Sequence, residues 1–132
     1  MRHQALLPLL GLLALCGLQL AAAQLAAVVT PQQTRAVAAA AQEKVERGTC
    51  PKGVRYASEV VLATGGACKA ACTALEQLQR KAASVDEIYH AAAAVNNCGC
   101  KGSLSAEQTA TISAALKTDT LPTLAYGVLA AQ

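Results

Sequence analysis

The chain has no Trp or Phe and only three Tyr, and much of its apolar content is alanine. Alanine buries little area per side chain, so at ~25 cal/mol per Å² a core built from it gives a modest driving force. Such a chain is expected to supplement its core with covalent staples, and its cysteines become the residues to follow.

The first stretch bears on where those cysteines act. Arg2 and His3 form a short basic start, followed by a leucine-rich run from Ala5 to Leu20 interrupted only by Pro8, two glycines, Cys16 and Gln19. Ala21, Ala22 and Ala23 then supply the small side chains that signal peptidase requires, which predicts cleavage before Gln24. Residues 1–23 therefore read as a signal peptide and 24–132 as a single helical domain, secreted or periplasmic. A retained signal anchor is the competing reading, because weak apolar character continues through Val29. The alanine-rich end and interrupting glutamines argue against it, and no stable membrane span is expected after cleavage. A lipoprotein would need a small residue before its cysteine, whereas Leu15 precedes Cys16.

Cleavage leaves 109 of the 132 residues, enough for one core that buries on the order of two-thirds of the unfolded surface. Without Arg2, ten Lys and Arg face eight Asp and Glu, a net charge near +2. The basic residues lie scattered among glutamates without aromatic interleaving, which argues against a nucleic-acid surface.

Helical signals dominate the rest. Thr30, Pro31 and Gln33 mark a helix start, with a capping hydroxyl, proline at the first helical position and a capping-box partner. That helix should run to Arg47 and stop at Gly48, with Val37, Ala41 and Val45 on one side and Glu43 paired to Arg47. Between Thr49 and Gly66 the glycines and Pro51 read as loops, and the apolar stretch from Tyr56 to Ala63 is left unassigned. A second helix is expected over about 67–83, with Cys68, Ala71, Leu75, Leu78 and Ala82 as its buried stripe. Ser84 and Glu87 form a capping box opening a third helix, with Val85, Ile88, Ala92 and Val95 inward and Asn96-Asn97 at its end. Ser105 and Gln108 cap a fourth, running to about Lys117 with Ile112, Ala115 and Leu116 inward. Thr120-Leu121-Pro122 opens a short fifth helix. No strand alternation or internal repeat appears. The expected class is all-α, a small disulfide-stapled bundle of four to five helices with neighbours antiparallel.

Once Cys16 leaves with the leader, Cys50, Cys68, Cys72, Cys98 and Cys100 remain, and bonding is the default in an exported domain of this size. If the second and third helices turn near Ala83, Cys68 lies fifteen residues before the turn and Cys98 fifteen after it. At ~1.5 Å rise per residue they stand at the same height and can bond. Cys72, one turn further on, can face either Cys100 or Cys50, and one thiol must be left over. Direct Cys98–Cys100 or Cys68–Cys72 pairs suit disulfide geometry poorly. The alternative use of these sulfurs is a metal site for zinc or copper(I), or redox exchange at Cys98-Gly99-Cys100.

His90 follows Asp86 by one helical turn, and both fall off the apolar stripe, which predicts an exposed ion pair and not an acid–base dyad. Tyr89 is expected at the core edge. The serines show no nucleophile elbow and the glycines lack phosphate-loop spacing, so neither enzymatic activity nor a cofactor is expected.

The leader, the helical pattern and the Cys98-Gly99-Cys100 loop resemble plant-type nonspecific lipid-transfer proteins, in which disulfides hold helices around an apolar tunnel. Those proteins have eight cysteines, including an adjacent pair. The mature chain has five, with none beyond Cys100, so the family is not assigned. The leading expectation is a non-enzymatic binding or structural module whose scaffold presents a surface to a protein partner. The alternatives are a carrier of a small apolar ligand, and a thiol-based metal or redox protein.

Overall fold

The computed structural model describes residues 29–118 and 120–130, without the side chains of Leu121 and Leu124. The leader, its cleavage site and Cys16 lie outside the described residues. The chain divides into two compact units, Met1–Arg35 and Ala36–Gln132, and every buried side chain among the described residues belongs to the second.

Helix α1 spans Pro31–Arg47, α2 Pro51–Ala63, α3 Cys72–Lys81, α4 Val85–Asn97, α5 Ala106–Ala115 and α6 Leu121–Ala130. A single 3-10 turn, Lys69–Ala71, leads into α3, and no strand occurs among the described residues. The class is the all-α, disulfide-stapled bundle expected from the sequence, and the three capping boxes have formed. Thr30 and Gln33 exchange bonds of 2.8 and 3.2 Å, and Ser84 with Glu87 and Ser105 with Gln108 do the same.

Helix α4 is the hub, packing against α2, α3, α5 and α6. One core cluster joins Val54, Ala57 and Val61 of α2 to Leu75 of α3 and to Ala94 and Val95 of α4, with Val45 closing it from α1. A second brings Ile88 and Ala91 of α4 against Ala82 and Ile112, and Leu78 packs on both. The core is built as the composition demands, with alanines at the helix contacts and few large aliphatic side chains.

Several expectations need correction. The unassigned stretch from Tyr56 to Ala63 belongs to α2, which also takes in Pro51 and Gly53, expected as loop, and buries Val54, Ala57, Ser58 and Val61. Their i, i+3, i+4, i+7 spacing is that of one helical face. Pro51 stands in the first turn, where its missing N–H costs nothing. Gly65, with φ +76°, ends the helix: its N–H donates to the Leu62 carbonyl and that of Gly66 to the Val61 carbonyl, each pairing a free helix-end acceptor. The second predicted helix is shorter than expected, because residues 69–71 form a 3-10 turn and α3 proper starts at Cys72. Its predicted stripe is nevertheless inward. Leu116 is exposed instead of buried, since α5 ends at Ala115 and Leu116 is already its cap. Val37 is also exposed, because the packed part of α1 is near its C-terminal end.

Gln108 does more than cap α5. Its Oε1 accepts the Ser105 N–H at 3.1 Å, while its Nε2 donates to the carbonyls of Gln79 and Ala82 at 2.6 and 2.9 Å. One buried amide therefore closes the start of α5 and the end of α3 together. Gln108→Ala should lose half of a capping box and strand the buried Ala82 carbonyl, while the Gln79 carbonyl keeps the Ala82 N–H, costing about 2 kcal/mol in a urea melt. A loss below about 0.5 kcal/mol would mean that water replaces the amide at no penalty.

Candidate functional site

The cysteines gather at one end of the α3–α4 hairpin because both helices terminate there in a defined way. Cys68 precedes the 3-10 turn and Cys72 opens α3, so they sit one turn apart. Across from them, α4 ends at Asn97 with Cys98 as its cap. The Gly99 N–H donates to the Asn96 carbonyl and the Cys100 N–H to the Val95 carbonyl, both at 3.0 Å, with Gly99 at φ +65°. This left-handed cap folds the chain back on the helix end. Cys98 and Cys100 are thereby presented side by side to Cys68 and Cys72.

Cys68 bonds Cys98 with Cα atoms 5.0 Å apart, as the equal distances from the turn suggest. Cys72 bonds Cys100 at 5.3 Å, one of the two partners left open by the spacing. Cys50, the other, caps the start of α2 and is free and exposed. The four sulfurs that could have gathered at a metal are bonded to one another. Among the described residues no group of three or more His, Cys, Asp or Glu could hold a metal ion.

A second constellation was not legible in the sequence. His90 is only 1% exposed, not the surface residue expected, and the chain's three tyrosines surround it. The ring centroids of Tyr89, Tyr126 and Tyr56 stand 5.0, 5.7 and 6.2 Å from that of His90. The Arg55 guanidinium lies over Tyr89 and Tyr56, with its central carbon 4.9 and 5.4 Å from their centroids, and donates to Glu59 at 2.9 Å. A buried serine completes the α2–α4 junction. Ser58 Oγ donates to the Arg55 carbonyl at 2.6 Å and accepts from Asn97 Nδ2 at 3.0 Å.

The imidazole is held between opposing groups. Arg55 Nη1 lies 3.4 Å from Nδ1, and since a guanidinium only donates, Nδ1 is the unprotonated nitrogen. Nε2 then carries the proton. It stands 3.3 Å from Asp86 Oδ1, near enough for attraction, but it is buried without a hydrogen-bond partner. Burial, the largest influence, pulls the His90 pKa below its ordinary value; Asp86 opposes this, while Arg55 and Lys52 reinforce it. The ring is thus neutral near pH 7. Arg55 holds its proton more tightly than usual: burial works against its charge, but the bond to Glu59 and the fields of Tyr89, Glu59 and Tyr56 outweigh it.

Several open grooves mark the surface of the described residues. One, of about 390 Å³ between α4 and α6, is lined by Tyr89, Ala92, Ala93, Asn96, Leu129 and Ala130. Another, of about 280 Å³, is lined by Ala74 and Leu78 together with charges such as Arg47, Lys81 and Glu87. No described helix is long and apolar enough to cross a membrane.

The two cystines should contribute unequally depending on order of removal. Closing the first loop of 28 or 30 residues stabilises by about 3.5 kcal/mol. Once it is closed, the second closes a ring of only about seven residues, for about 2.5 kcal/mol. Removing either pair by double alanine substitution should therefore cost about 2.5 kcal/mol and removing both about 6 kcal/mol, measured by denaturant melts. Strict additivity of the two losses would show that the bonds do not share one loop.

No family model matches the chain, and neither a curated protein nor a solved structure matches it.

Proposed function

We propose that this chain is exported and acts as a non-enzymatic binding or structural module, a disulfide-closed helical scaffold presenting a surface to a protein partner. The observation that carries this reading is the pair of cystines at the open end of one hairpin. Such bonds persist in oxidising compartments and are rare where thioredoxin and glutathione keep thiols reduced. They agree with the leader read at residues 1–23.

The partner surface is best placed on the C-terminal helices. Between them α5 and α6 carry one charged residue, Glu107, while Leu116, Val128 and Leu129 are exposed on or beside them. A surface so poor in charge, with partly exposed apolar side chains, suits contact with a protein partner. A second reading, carriage of a small apolar ligand, is favoured by the groove between α4 and α6, whose volume is within the range of ligand sites.

The exported protein should begin at Gln24 and have one thiol open to alkylation before reduction and five after it, counted by intact mass. Native mass spectrometry of the same material separates the two readings. Bare protein supports the module, and a retained lipid-sized mass supports the carrier. Six alkylatable thiols without reductant, on a chain that keeps its leader and with it Cys16, would overturn both.

A further inference from the structure

We propose that His90 is an acid-sensitive latch for the C-terminal helix, so that protonating its ring releases α6 from α4. The ring lies where α2, α4 and α6 meet. From α2 it faces Lys52, Arg55 and Tyr56, from its own helix Asp86 and Tyr89, and from α6 Tyr126. Helix α6 has no charged side chain. The charged residues of the other helices packed on α4, which are Glu76, Arg80 and Lys81 of α3 and Glu107 of α5, form no ion pair or hydrogen bond with the ring among the described residues.

The neutral ring suits this site and the protonated ring does not. A second proton must go to Nδ1, which accepts from Arg55 Nη1 at 3.4 Å. It would turn that acceptor into a donor facing a guanidinium, like charge against like, in a place closed to water. Asp86 offers partial relief but is out of line with Nε2. The imidazolium gains most by reaching solvent, so one wall of the enclosure must move.

The three walls are not equally free to do so. Tyr89 belongs to the same helix as the ring. Helix α2 is tied to α4 through Ser58 and Asn97 and contributes Val54, Ala57 and Val61 to the main core. Helix α6 follows the last cystine at Cys100, and no hydrogen bond joins its described side chains to α4. It is the wall that can leave.

The direction follows from linkage. His90 has its ordinary pKa, near 6.5, once hydrated and a lower one while enclosed, so the open form binds more protons. Docking of α6 is at its firmest above about pH 6.5 and weakens as the pH falls from there towards the enclosed-state pKa, with the opening constant rising up to about tenfold per pH unit. Glu87, whose carboxylate accepts the Ala83 and Ser84 N–H groups, titrates below its ordinary 4.5, so the cap of α4 stays charged in a comparison that goes no lower than pH 5.0.

Amide hydrogen exchange of the oxidised full chain at pH 7.5 and 5.0, corrected for intrinsic rates, tests the latch. Protection of α6 should fall several-fold at pH 5.0 relative to α3, which lies inside the disulfide loops. Asp86→Asn removes the carboxylate that favours imidazolium and should enlarge that fall. Lys52→Gln removes an opposing cation and should shrink it, and His90→Gln should abolish it. The two surface variants keep the test decisive if His90→Gln fails to fold. Unchanged α6 protection between the two pH values would overturn the proposal. So would a fall that neither surface variant alters, or opening confined to α2 as Arg55 swings away.

Discussion

The clasp at the open end of the α3–α4 hairpin is the constraint on which the rest depends. A core of alanines with Leu75, Ile88 and a few valines gives limited burial energy, and α4 must nevertheless hold four other helices at once. Two cystines fix its end against the start of α3 and fix the height at which the two helices meet. They do so without lengthening the chain because the left-handed cap at Gly99 reverses direction within one residue. Cys68 and Cys98 are at the same time members of the main core, so covalent and hydrophobic closure coincide there.

The central position of α4 also explains the polar residues inside the molecule. A helix packed on several sides has a wide buried arc, and residues between its main apolar positions must go inward too. His90, in the interior beside Ala91, is the result. Its surroundings suit a neutral imidazole better than a charged one: Arg55 donates to Nδ1 and three tyrosine rings enclose it, while Nε2 has only the attraction of Asp86 and no hydrogen bond. Ser58 and Asn97 join α2 to α4 by the same logic, and Gln108 joins α5 to α3. In a core so short of large side chains, each of these bonds specifies where one helix meets another.

This division determines what could be read from the sequence. Capping boxes were legible because they are local: a hydroxyl and an amide or carboxylate three residues apart are enough, as at Ser84 and Ser105. The Cys68–Cys98 pairing was legible because hairpin geometry converts residue count into height. Helix α2 was obscured by Gly53 and by the Gly65-Gly66 pair, although Val54, Ala57, Ser58 and Val61 mark its buried face. The burial of His90 was not legible, since a one-sided stripe was assumed for a helix that has neighbours on several sides. Arg55, Tyr56 and Tyr126 come to His90 from two other helices, and no spacing within α4 announces them. Leu116 stands one residue beyond the end of α5, and a boundary that close moves a side chain across the helix end.

The central claim is that covalent closure supplies a large part of the stability that this small-side-chain core lacks. Calorimetry of the oxidised protein against the same protein reduced and alkylated tests it most directly. Since the two bonds together stabilise by about 6 kcal/mol against a usual total of about 5–15 kcal/mol, the oxidised chain should melt cooperatively. The reduced chain should then melt tens of degrees lower or without a cooperative transition. Coincident transitions of the two forms would contradict the account.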